Sequence, residues 1–574
     1  MVGSTDNEKL LLMSEMLIMS SLQVVNNNTY DLVVIGGGIN GAGVVRDAAL
    51  RGLKTLLIEK NDFSSGSTSW STRLIHGGLR YLESFEFSLV RESLREREIL
   101  LHIAPHLVKP LLLTIPIYRD RSRPYWKIQA GMLLYDTLSF DKTLLSHRML
   151  PKRKFLQLFP ELDPEGLHGG AQYYDCQVAY AERLCLENIL SAQAAGATVL
   201  NYTKVKRLHQ QGTRIDSLTC FDCFTGEEVT VKLSDRAVVV NTSGPWVDQI
   251  LESITSNGST SNSSESKKIG ATKGSHIIVD PFPGAPMTAL YVEAKTDGRP
   301  FFIIPWLGKY LIGTTDKRFQ GNLDQIKADN SEIDYLLTET NRIIPIAHLS
   351  RHDVKFTYSG VRPLPWEESK QPGKITRKHI LYDHAKEGIA NLISLIGGKL
   401  TTYRQVGEEI VDAVYQKLGQ QAPPCPTKEK PLPGAILPND PRLKKAFDEY
   451  NNVIPSTSIH HLFSIYGART IEVLALTDHS SDLAEPITPE LPDIKAQIVY
   501  AVNSELARTL VDITRRRTSL AMLTHYGLDL LPVMTEILGK HCGWSAEDCD
   551  RQIEDYRTYI QENCIPDYEL SRES

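Results

Sequence analysis

Apolar and polar positions follow two periods along this chain, and the first clear block runs from Tyr30 to Glu59. Four consecutive apolar residues, Leu32 to Ile35, predict a strand covered on both faces. A glycine turn (Gly36, Gly38, Gly41) leads into a helix, and Thr55 to Ile58 predict a second strand closed by Glu59. Helical spacing returns from Phe87 to Leu101, with Arg91, Glu92, Arg95, Glu96 and Glu98 on a solvated side. It returns again from Trp126 to Tyr135, where Ile128, Met132 and Tyr135 form an apolar stripe. Ala181 to Ala195 predicts a helix ended by Gly196, followed by strands at Thr198–Tyr202, Ser217–Phe224, Glu227–Leu233 and Ala237–Val240. Ser253 to Lys268 is Ser/Asn-rich and predicts a disordered surface insert. A β-rich stretch then extends to about Leu381, with strand candidates at His276–Val279, Phe301–Ile304 and Tyr310–Gly313. A last apolar strand, Leu392 to Ile396, precedes a helix that runs to Leu418. Five prolines between Pro423 and Pro433 mark a linker, and the tail from 435 to 574 is mainly helical.

The opening block is a βαβ unit whose glycines have separate mechanical roles. Gly36 permits the tight turn, Gly38 lets the backbone approach a pyrophosphate, and Gly41 lets helix and sheet pack closely, so that the helix N-terminus faces phosphate charge. Glu59, eighteen residues past the last glycine, is placed to accept a hydrogen bond from a ribose 2′-hydroxyl and to repel a 2′-phosphate. A dinucleotide site is the expectation.

Later stretches add chemistry to that site. Ser64 to Thr72 is a small-residue loop offering hydroxyls, including Ser69 and Ser71. Leu74 to Tyr81 holds His76, Arg80 and Tyr81 around two glycines. Strand, small polar residues and Gly244 before a helix read as a second nucleotide-contacting loop, and Gly397, Gly398, Lys399 and Thr401 form another helix start suited to an anion. Arg362 and Arg377 stand alone in the β-rich stretch. Between Tyr118 and Lys154, nine Lys or Arg residues face three Asp, with Tyr118, Tyr125, Trp126 and Tyr135 interleaved. Such an element lies either in a core or on anionic headgroups.

Composition narrows the class. The 574 residues allow two or three domains, and 63 Lys plus Arg against 69 Asp plus Glu give a net charge of -6, no reason to expect nucleic acid as a partner. Eight scattered cysteines fit a reducing compartment, and the single CxxC (Cys220, Cys223) lacks the second pair of a zinc site, so no metal is expected. Residues 1–29 read as a flexible leader: Glu15 interrupts its apolar run, which suits neither a signal peptide nor a transmembrane helix, and Met13, Met16 or Met19 could serve as starts.

The segments Ile35–Gly43, Leu74–Glu83, Tyr173–Cys176, Asn241–Trp246, Lys273–His276, Gly313–Asp316, Tyr358–Leu364 and Ile396–Arg404 together resemble the FAD-dependent glycerol-3-phosphate dehydrogenases, within the D-amino-acid-oxidase-like flavoproteins. The resemblance covers nearly everything from Tyr30 to about Tyr556. It implies an α/β fold: a Rossmann-like FAD-binding domain interleaved with an antiparallel-sheet substrate domain, plus a C-terminal helical domain. The expected division is FAD-binding at 30–105, 171–252 and 386–422, and substrate domain at 106–170 and 269–385. The insert lies at 253–268, the linker at 423–434 and the helical domain at 435–574. Arg80, Arg362 and Arg377, with Tyr81, would hold the substrate phosphate. Gly36, Gly38, Gly41, Glu59, Ser69, Ser71, Gly244, Gly398 and Thr401 would bind FAD. The implied reaction is oxidation of sn-glycerol 3-phosphate to dihydroxyacetone phosphate by hydride transfer from C2 to flavin N5. His76 or His276 would be the base, and Lys399 would stabilise the developing negative charge. The resemblance further implies a membrane quinone as acceptor and a peripheral position on the inner face of the cell membrane; the lack of a calcium-binding EF-hand loop and of a transit-peptide pattern points to the bacterial type. Two other readings stand beside it: an oxidase using oxygen, and a redox-silent flavin-binding scaffold on membranes. The tail would cap the domain or build a homodimer.

Overall fold

Strand Leu32–Ile35 occupies the middle of a six-stranded sheet with the order Ile380–Asp383, Leu392–Ile396, Val238–Asn241, Leu32–Ile35, Thr55–Ile58, Thr198–Leu200. The protein is seen here as a computed structural model that describes residues 25, 28–121, 123–256, 259–260, 267–368, 375–522 and 524–570. Most of the 1–29 leader thus lies outside the described residues. All neighbours in the sheet are parallel except the edge strand Ile380–Asp383. Leu32 stands opposite both Thr55 and Val238. Alternate side chains of the central strand feed two cores: Leu32 and Val34 point to the helix-covered face, Val33 and Ile35 to the other.

On the first face helix Ile39–Leu50 lies between Ala181–Ala194 and Tyr403–Lys417. It crosses the last of these where Gly43 meets Gly407; a Cβ on Gly407 would come within 2.8 Å of the Gly43 backbone. The second face is covered by a five-stranded sheet, Glu228–Lys232, Arg214–Asp222, Thr203–Gln211, Ile254–Ser256 and Ser259–Thr260. A ten-stranded, largely antiparallel sheet forms the other half of the molecule; its strand Thr272–Val279 pairs with both Lys309–Gly313 and Val354–Arg362.

Two expectations need correction. The stretch Ser253–Lys268 opens with an ordered strand, Ile254–Ser256, because Ile254 is buried and pairs with Leu208; residues 257–258 and 261–266 lie outside the described residues. The proline-rich segment is no free tether. Its carbonyls, which prolines keep when they lose the N–H, accept from buried arginines: Arg51 Nη1 to Pro423 O at 3.1 Å and Arg46 Nη2 to Lys430 O at 2.6 Å. Gly434 N then donates to Glu187 Oε2 at 3.0 Å. The helices that follow share one apolar core with the helix-covered face of the main sheet.

Candidate functional site

The glycine turn opens into a cavity of about 1190 Å³ between the two large sheets. Gly36 has a φ of +106°, and a Cβ there would sit 2.9 Å from the Thr242–Ser243 backbone. Gly38 is the residue before the helix, and a Cβ on it would touch only Thr68 Oγ1, at 3.4 Å, so its backbone faces the cavity. Gly41 lies beneath the turn, where a Cβ would be 1.9 Å from the Gly36 carbonyl oxygen. Glu59 accepts from Gly37 N at 2.7 Å and Asn61 N at 2.9 Å. Burial raises its pKa, and these two donors counter the rise.

Ser71, Gly244, Gly398 and Thr401 line the same cavity. Ser69 does not: its hydroxyl is buried and donates to Ser64 O at 2.8 Å. Gly398, at φ +98°, makes room for Asn40, whose Oδ1 is buried without a hydrogen-bond partner. A bare helix start, an acidic strand end and an unmatched buried acceptor suit a dinucleotide. Among the described residues no group of His, Cys, Asp and Glu is placed to hold a metal ion.

At the other end, strand Leu74–Ile75 delivers His76. Gly77 N donates to Tyr135 Oη at 2.9 Å, Tyr135 donates to Asp175 Oδ2 at 2.8 Å, and Arg97 Nη1 reaches Asp175 Oδ1 at 2.7 Å. This buried network fixes the backbone beside the histidine, and Gly77 is required because a Cβ would meet Tyr135 Oη at 2.4 Å. Desolvation pushes His76 down to about 4; Asp175 opposes the shift, while Lys399 and Arg80 add to it. His276 is held differently, with Nε2 2.9 Å from Thr72 Oγ1 and its ring stacked 4.7 Å from that of Tyr358. Burial also takes it well below an ordinary histidine. Both imidazoles are neutral at pH 7.

Lys399 Nζ donates to Ser93 Oγ at 3.3 Å and stands 4.3 Å from the Tyr81 ring centroid. Burial lowers its pKa against the pull of Tyr81 and Glu92. For Tyr81 burial alone would raise the phenol, but Lys399, Arg377, Arg80 and Arg362 outweigh it and the net shift is downward.

The arginines gather around one carboxylate that the sequence reading left without a role. Asp316 accepts from Arg299 Nη2 at 3.0 Å, Arg362 Nη1 at 3.1 Å and Arg377 Nη2 at 3.4 Å. All three arginines and Arg80 line the cavity. Burial and the neighbouring Arg362 push Arg377 down to about 10, so it stays charged at neutral pH. Four cations against one carboxylate leave a net positive pocket that a dianion would relax. Arg299 had no sequence signal. Asp316 closes the Gly313–Asp316 segment, and only its position in that segment marked it.

On the outer surface, helix Tyr125–Leu138 buries Ile128, Met132 and Tyr135 and exposes Trp126 (70%) and Leu133 (56%). Phe85 and Phe140, both 78% exposed, stand on neighbouring elements. Arg123 is not available to headgroups, because Glu83 and Glu293 hold it at 2.9 and 2.6 Å. Among the described residues no helix is long and apolar enough to cross a membrane.

A sheet-borne dinucleotide site continuous with a pocket of arginines, neutral histidines and one lysine defines a flavin-type oxidoreductase. Comparisons with known proteins agree. The family described as FAD dependent oxidoreductase matches residues 31–404, and the C-terminal domain of alpha-glycerophosphate oxidase matches 425–549. A glycerol-3-phosphate dehydrogenase of Synechocystis sp. is 61% identical over 96% of this chain and 100% of its own length. A D-erythritol 1-phosphate dehydrogenase of Brucella abortus is 38% identical over 85% of the chain and 94% of its own. Among solved structures, the glycerol-3-phosphate dehydrogenase of Bacillus halodurans complexed with FAD superposes with a TM-score of 0.75 at 28% identity, covering 96% of this chain and 98% of that one. The chain belongs to the FAD-dependent glycerol-3-phosphate dehydrogenase family, and its cofactor is FAD.

Proposed function

We propose that the protein oxidises sn-glycerol 3-phosphate to dihydroxyacetone phosphate and passes the electrons to a membrane quinone. The observation that carries this reading is the ring of Arg299, Arg362 and Arg377 around Asp316, in one cavity with Arg80, His76 and Lys399. Planar guanidinium forks grip a phosphate dianion at two points each, which fixes the orientation of the attached carbons. Asp316 keeps the forks converged before the substrate arrives. FAD, held by Gly36, Gly38, Glu59, Ser71, Gly244, Gly398 and Thr401, supplies the hydride acceptor.

Of the two histidines, His276 has its Nε2 engaged by Thr72 and its ring fixed on Tyr358, so it orients. His76 takes the C2 hydroxyl proton at a ring nitrogen. Burial, with a further push from Lys399 and Arg80, depresses its basicity; the incoming dianion offsets the two cations and raises the ring's affinity for the proton. Lys399 stabilises the oxygen as negative charge grows on it. The exposed apolar side chains Trp126, Leu133, Phe85 and Phe140, on or beside helix Tyr125–Leu138, support a peripheral position on a membrane, where a quinone is at hand.

Anaerobic addition of sn-glycerol 3-phosphate should bleach the bound flavin; an unchanged absorbance would overturn this reading, as the redox-silent scaffold predicts. The match to the C-terminal domain described for alpha-glycerophosphate oxidase favours a second reading, with oxygen as acceptor. Turnover that follows added quinone and leaves the oxygen trace flat supports the dehydrogenase; rapid oxygen consumption supports the oxidase.

A further inference from the structure

The cavity is longer than the glycine turn and the arginine pocket together account for, and its wall past Glu59 is not made by the dinucleotide-binding sheet alone. Thr509, Arg516, Gln552 and Tyr559 of the C-terminal helices line it alongside Glu59, Asn61 and Tyr202. These helices are fastened to that end by buried charges. Arg516 Nε reaches Asp62 Oδ2 at 2.6 Å, and Arg517 forks onto both Asp62 oxygens at 2.7 and 2.9 Å. Asp62 is fully buried and lies three residues past Glu59. Tyr202 Oη donates to Asp512 Oδ1 at 2.6 Å, while its backbone N donates to Asn61 O at 2.9 Å. Thr203 N binds Glu59 O at 2.8 Å. The loop carrying the ribose-side carboxylate is therefore gripped from one side by the sheet and from the other by the turn Asp512–Arg517.

Arg516 also pairs with the buried Asp512 at 2.5 Å, and Arg517 donates to Glu505 O at 2.7 Å, so two arginines and two carboxylates form one buried network between the Asp62 loop and the C-terminal helices. Buried pairs of this kind add little net stability, yet breaking one strands a charge, so they fix a geometry. We infer that the C-terminal helical domain is the outer wall of the adenosine end of the FAD site, and that Asp62 with Arg516 and Arg517 is the latch that keeps the cofactor in. The inference rests on FAD being the cofactor and is independent of which substrate is oxidised.

The test follows flavin release from the holoenzyme without substrate, by absorbance during dialysis, with helical circular dichroism read in parallel. Arg516→Met and Arg517→Met break the latch, and Tyr559→Ala trims the wall without touching Asp62. The expected result is flavin loss about 10- to 100-fold faster than in the unmodified protein, at temperatures where the helical signal is intact, as the loss of a charge-assisted contact implies. Wild-type retention in all three variants, or flavin loss only where the helical signal collapses, would overturn the inference.

Discussion

The ammonium of Lys399 stands 4.3 Å from the centre of the Tyr81 ring. Each side chain moves the other's proton equilibrium: Lys399 heads the groups that make the Tyr81 phenol more acidic, and Tyr81 heads those that oppose the burial-driven fall of Lys399. Lys399→Met should retain flavin and bind substrate, while the rate of anaerobic flavin bleaching falls by about 100- to 1000-fold, the usual loss for one preorganised charge-stabilising donor. A rate within a few-fold of wild type would remove Lys399 from the chemistry.

The pocket of arginines separates binding from chemistry. Arg362→Ala or Arg80→Ala should raise KM about 10- to 100-fold per lost charge-assisted contact while FAD stays bound. Loss of flavin with unchanged KM would reassign these arginines to the cofactor. Asp316→Asn leaves Arg299, Arg362 and Arg377 facing one another, so the variant should melt earlier than wild type and recover more of its Tm on addition of inorganic phosphate. An equal phosphate-induced gain in both proteins would deny Asp316 its role as counter-charge.

A base must be unprotonated to act, and His76 is held at about 4 in the free protein. NMR of histidine-labelled holoenzyme should show a neutral His76 ring at pH 5.5, and a bound phosphate dianion should move its titration upward. Activity lost on acidification below pH ~6 then reflects the second ionisation of the substrate phosphate. A His76 ring already charged at pH 6 in the free enzyme would contradict the assignment.

Membrane attachment, if it uses the helix Tyr125–Leu138, depends on apolar contact more than on charge. Trp126→Ser with Phe140→Ser should abolish flotation with liposomes, whereas Arg123→Gln, whose guanidinium Glu83 and Glu293 already hold, should change it little. The reverse pattern would make the surface an electrostatic one.

The central sheet was legible because its strands are short, wholly apolar and punctuated by glycine, a signal contained in about ten residues. His76, Arg80 and Lys399 draw notice in the sequence because each stands close to glycines that bring backbone near something, and the structure places all three on one cavity. Arg299 and Asp316 draw no such notice, since a carboxylate that gathers arginines from positions 299, 362 and 377 has no local pattern. The same reason hides the ordering of the proline segment, which depends on Arg46 and Arg51 some 370 to 385 positions away. The pairing of Arg123 is hidden in the same way: its surroundings look basic in sequence, and its partners Glu83 and Glu293 come from elsewhere.

The central strand Leu32–Ile35 has its second neighbour at Val238–Asn241, and beyond that strand lies Leu392–Ile396. On a ribosome adding roughly 5 to 20 residues per second, the first βαβ unit emerges tens of seconds before the chain that completes its sheet. During that interval one edge of the Leu32–Ile35 strand offers unpaired N–H and C=O groups to whatever is near. The order of synthesis, rather than the stability of the finished protein, therefore sets when this fold is most exposed to misassociation and when a chaperone has most to protect.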